Sequence, residues 1–238
     1  MADLHWTMPI ARWTSISTTE VAGVEFIEPM VRRRLSRLSK LALQAAHDCA
    51  DGHGALRMVF ASRHGELIRT TTLLDAITAG EPVSPTAFGL SVLNAASGIF
   101  GIVRGDRSAA TALSAGSETL GYALLEAHAQ AESDPADAPP VLLVYAHEPA
   151  SDIYAAHDDI GQSEALAILL DARSARGYLR CEVTVGAMAG AAAAIGGADA
   201  EVEATQSAAL RRCLSDRRDA SWRGSDAAWR WSWHDHAA

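Results

Sequence analysis

The sequence predicts an α/β fold, with a mostly parallel central sheet, flanking helices and a late antiparallel strand pair. Three observations carry that expectation. Short apolar runs alternate along the chain with stretches of helical periodicity, the order expected of β-α-β units. The runs are apolar throughout, as in "VLLVYAHEP" (141–149), which is the pattern of strands buried on both faces. Glycine and proline punctuate the boundaries.

The elements follow in order. Trp6 to Phe26 mixes apolar and β-branched residues and holds one or two short strands. From about Glu28 to Asp51 the pattern is helical: Leu35, Leu38, Leu41, Ala42, Ala45, Ala46 and Cys49 recur at spacings of three and four, which puts them on one face. Gly52 and Gly54 end that helix. "LRMVFAS" (56–62) is a short buried strand, and "HGELIRTTTLLDAITAG" after it is a helix that stops at Gly80. Ser84 followed by Pro85 starts the next helix, "SPTAFGLSVLNAASGIFGIVRG", whose small residues let another backbone approach closely. "SAATALSAG" is a strand running into a small-residue corner, and Glu118 to Glu132 is the helix that leaves it.

A loop (133–140) leads to the apolar strand at Val141. Two strands, 165–170 and 178–185, are joined through "DARSARG" and read as the antiparallel pair. After Gly186 the composition shifts to an Ala/Gly-rich run, then a helix to about Leu214. The final stretch holds Trp222, Trp229, Trp231 and Trp233; clustered tryptophans in a tail are expected to dock, on the chain itself or on a partner. We divide the chain into residues 1–186 and a tail, 187–238, that is not an independent domain.

Composition narrows the function classes. The formal net charge of -9 argues against nucleic acid, which needs concentrated Lys and Arg. The one basic cluster, Arg32, Arg33, Arg34, Arg37 and Lys40, reads as a solvated or partner-facing helix face, with an acidic partner as the sharper alternative. Three widely spaced cysteines (Cys49, Cys181, Cys213) form no ligand pattern, so neither a metal nor a cofactor is implied. No apolar run approaches the roughly 20 residues of a membrane span, and the N-terminus lacks a signal-peptide core. A reducing cytoplasm is the expected setting.

The strand-to-helix corner is the one place shaped like an active site, because such a turn exposes a side chain at a helix N-terminus. It carries Leu113, Ser114, Ala115, Gly116 and Ser117. Neither serine sits in G-x-S-x-G, and paired serines at such corners are more often turn and N-cap residues. A serine-dependent acyl hydrolase or transferase using Ser114 or Ser117 stays as an alternative. The histidines add no clear base: His64 follows a strand, His147 and Glu148 end one, His157 lies in a loop, and His234 and His236 are terminal.

The strings "RRLSRLSKLALQAA", "FASRHGELIRTTTLLDAITAGEPVSPTAFGLSVLNAASGIFGI", "TALSAGSETLGYALLEA" and "SEALAILLDARSARGYLRCEVTVGAM" occur in that order. Together they resemble the N-terminal half of a β-ketoacyl synthase of the thiolase-like fold, from about Glu28 to Gly186. The closest subgroup in likeness is the chain length factors of aryl polyene pigment clusters. The "SPTAFGLSVLNAASG" stretch is the most specific, although the family usually has His where this chain has Leu93.

The resemblance implies that a catalytic cysteine would stand at Leu113, or with a one-residue gap at Ser114 or Ala112, none of them Cys, and no "HGTGT"-like or "GFGG"-like string supplies the family's later residues. It implies a non-catalytic subunit that pairs with a β-ketoacyl-ACP synthase, meets acyl carrier protein through that complex, and helps shape an acyl tunnel. Phe88, Ser91, Val92 and Ala95 are the tunnel or interface candidates, on helical spacing and analogy. A homodimeric acyl-binding scaffold is a further alternative. A half-fold of this kind would expose the surface that normally packs on its pseudo-symmetric mate, to be covered by the Trp-rich tail or by the partner.

Overall fold

The chain enters the fold as one long bent strand that serves two sheets. The computed structural model describes residues 2–17, 23–133, 138–150, 154, 162–186 and 203–236. The Ala/Gly-rich run at 187–202, the "HDD" at 157–159 and the centre of the loop at 134–137 lie outside them. β1 (Ala2–Ile10) runs in a four-stranded sheet and β2 (Arg12–Ser17) in a five-stranded one, with only Ala11 between. Their partners β6 (Glu164–Leu170) and β7 (Gly177–Val185) switch sheets at the same corner. The Ala11 N–H donates to the Leu169 carbonyl at 2.9 Å and the Arg176 N–H to the Ile10 carbonyl at 2.8 Å, which fixes the crossing.

This corrects one sequence expectation. β6 and β7 both form, but they do not pair with each other. β6 is antiparallel to β2 and β5 (Val141–His147), whereas β7 is antiparallel to β1 and β9 (Ala227–His234). "DARSARG" was expected to turn a hairpin. It forms a 3-10 turn at Ala172–Ser174 that carries the chain onward along the bent β1–β2 partner instead of reversing it.

The five-stranded sheet has the order β2-β6-β5-β3-β4, with β3 at Arg57–Ala61 and β4 at Ala110–Leu113. Only β3, β4 and β5 run parallel; β6 opposes β5 and β2 opposes β6, so the sheet is mixed. β5 and β6 are buried on both faces, as their unbroken apolar runs require. Leu143, Leu166, Ile168 and Leu170 face one core; Leu142, Val144, Ala167 and Leu169 face the other.

The second of these cores lies under α2 (Arg37–Ala50) and α5 (Ala95–Arg104). α2 buries Leu38, Leu41, Ala42, Ala45, Ala46 and Cys49, the face read from the sequence, and Ser36 caps it by accepting from the Ser39 N–H at 3.0 Å. A short α1 (Pro29–Arg32) precedes it. α3 (Leu67–Thr78) and α4 (Pro85–Gly89) bury no residue, and leave Ile68, Leu74, Ile77 and Phe88 exposed. The single helix expected from Ser84 onward is two, because residues 90–94 leave the helical path between α4 and α5.

The first core lies between the five-stranded sheet, α6 (Thr119–Ser133) and the tail. The tail is built as α7 (Gln206–Asp216), β8 (Ala220–Arg223) and β9. These strands complete the four-stranded sheet, ordered β1-β7-β9-β8. Trp229 and Trp231 are among the largest fully buried side chains of the protein. The tail therefore packs against α6 and closes the first core.

Candidate functional site

The corner between β4 and α6 is tight because its residues are small and one is left-handed. After Leu113 the chain passes through Ser114 and Ala115 to Gly116, whose φ of +58° suits glycine, and into a 3-10 turn at Gly116–Glu118. Thr119 closes the turn on itself: its hydroxyl donates to the Gly116 carbonyl at 2.7 Å and accepts from the Ala115 N–H at 2.9 Å. The Ser62 N–H donates to the Leu113 carbonyl at 3.3 Å, tying the corner to the end of β3.

The side chains at this corner are disposed as follows. Leu113 is half-buried and packs on the first core, so an apolar group ends the strand. Ser114 is exposed, and its hydroxyl donates to the Arg63 carbonyl at 2.8 Å. Ser117 faces a cavity that His147 also lines. The rings of His64 and His147 lie 6.1 Å apart at 45°. Beyond them, burial pushes the Glu148 carboxyl above its ordinary range; the Glu66 carboxylate adds to this and the Arg37 guanidinium partly opposes it. Among the described residues no group of three His, Cys, Asp or Glu could hold a metal ion.

The tunnel candidates do not share one helix. Phe88 is on α4 and 62% exposed, Val92 is exposed, and Ser91 is half-buried with its hydroxyl donating to the Phe88 carbonyl at 2.8 Å. Ala95 opens α5 and is buried. The basic cluster stands on and beside α1 and α2, with Arg33, Arg34 and Arg37 exposed and Arg32 paired to Glu25.

Glu118 is the residue that sequence reading passed over. An acid at the start of a helix suggests only a partner for the helix dipole. Here it is buried, and its carboxylate holds the tail. Glu118 Oε2 accepts from the Trp229 Nε1–H at 3.0 Å, and Oε1 accepts from the Ala227 N–H at 3.0 Å and the Asp226 N–H at 3.3 Å. One turn later Gly121 lets the Trp229 ring lie against α6: a Cβ there would come within 2.6 Å of the indole. Tyr122 meets the same ring edge-on, at 5.3 Å between centroids. The corner and the Trp-rich tail are thus one packed unit.

A family model described as the N-terminal domain of β-ketoacyl synthases matches residues 6–232. The chain belongs to that family. The match runs past the stretch 28–186 that carried the sequence resemblance and takes in most of the tail. The fold is accordingly the thiolase-like α/β half of a ketosynthase, with mixed sheets and flanking helices. Among solved structures, the chain is similar to one described as the ketosynthase ApeO in complex with its chain length factor ApeC, from Xenorhabdus doucetiae. That likeness has a TM-score of 0.75 and 25% identity, and covers 95% of this chain and 99% of that one, so the matched chain has nearly this length. A β-ketoacyl synthase from Burkholderia phymatum matches at 12% identity and TM-score 0.53, over 66% of this chain and 49% of its own. Ketosynthase twelve of the bacillaene polyketide synthase from Bacillus amyloliquefaciens matches at 15% and 0.50, over 72% and 36%. These two speak to the fold alone. No curated protein matches the chain.

Proposed function

We propose that the chain is the non-catalytic, chain-length-factor-like subunit of a β-ketoacyl-ACP synthase heterodimer. It would act in type II polyketide biosynthesis of the aryl polyene pigment kind, or in a related fatty-acid-like pathway. The observation that carries the reading is Leu113, an apolar side chain packed on the core at the strand-to-helix corner where a condensing enzyme mounts its acyl-accepting cysteine. A leucine offers no nucleophile and no general base, so the fold here supports chemistry done elsewhere. Ser114, which spends its proton on the Arg63 carbonyl, is a poor substitute.

The surface beside the corner supports a partner. β4 is an edge strand of four residues, with one side unpaired in the described structure. Edges of this kind are normally covered or paired. Next to it α5 exposes Ile102 (82%) and Val103, and Phe88 on α4 and Val92 after it are exposed as well. In this reading Phe88, Ser91, Val92 and Ala95 lie at the partner interface and its acyl tunnel, and acyl carrier protein is met through the complex. The likeness to the ApeO–ApeC structure, which pairs a ketosynthase with a chain length factor, supports the same assignment.

The test is co-expression with a ketosynthase from the same genome, followed by size-exclusion chromatography with light scattering. The expected result is a 1:1 complex that Ile102→Asp dissociates while the chain's circular dichroism stays unchanged. Two proteins that never co-elute, with the ketosynthase fully active alone, would sink the proposal.

A further inference from the structure

We draw no further inference here: the strongest candidate, the cavity of about 440 Å³ between α5 and the edge strand β4, belongs to the partner surface already described.

Discussion

Glu118→Ala is expected to release the tail from the corner and destabilise the whole chain. The substitution leaves two buried donors, the Trp229 Nε1–H and the Ala227 N–H, with no acceptor. An unsatisfied buried donor costs about 1–3 kcal/mol, so the pair costs roughly 2–6 kcal/mol. The third contact, at 3.3 Å from the half-buried Asp226 N–H, adds little. Removing the carboxylate also relieves the desolvation of a buried charge, which moves the expectation into the lower half of that range, about 3 kcal/mol. For a chain of this size each kcal/mol lowers the midpoint by about 2–4 °C, giving a drop of roughly 6–12 °C. Glu118→Gln keeps one acceptor oxygen and should lose about half as much. Urea unfolding of the full chain, followed by far-UV circular dichroism, measures both. A loss under about 0.5 kcal/mol for the alanine variant, the scale of an ordinary surface substitution, would refute the clamp.

Three further outcomes follow from the same packing. Gly121→Ala improves helix propensity by about 1 kcal/mol but drives a Cβ within 2.6 Å of the Trp229 ring, so unfolding should show a net loss of about 1–2 kcal/mol. Both Trp229 and Trp231 are buried, but the Trp231 Nε1–H has no acceptor among the described residues whereas that of Trp229 bonds Glu118. Trp231→Phe should therefore be the milder substitution by about 1 kcal/mol in the same assay. Glu148 has a folded-state pKa raised by burial and by Glu66. Its protonated form is the one folding favours, so that contribution is full below the ordinary value of 4.5 and is lost as pH rises through the raised value. Glu148→Gln should consequently raise the melting temperature at pH 7, with a gain that vanishes toward pH 4; a gain equal at both pH values would contradict the burial argument.

What was legible in the sequence is what local periodicity and punctuation control. The apolar face of α2, the doubly buried strands β5 and β6, and the small-residue corner beginning at Leu113 are each written within one segment and appear where the pattern puts them. The family motifs are local in the same sense, and the match over residues 6–232 bears them out. Pairing partners are not local. β6 is an unbroken apolar run and β7 alternates, but neither pattern says that a 3-10 turn carries one into each sheet. The helix expected through residues 84–105 breaks at 90–94 although its composition stays helix-compatible. The four tail tryptophans announced docking but not where. That was decided by Glu118, more than a hundred residues earlier, and by Gly121, whose missing Cβ admits an indole. A buried carboxylate and an absent side chain gain meaning only from what arrives against them. Sequence by itself determined most elements up to β7, the family and the leucine at the corner, but not the tail strands β8 and β9. Tertiary structure alone decided that the tail packs over α6, because that contact joins groups no local pattern relates.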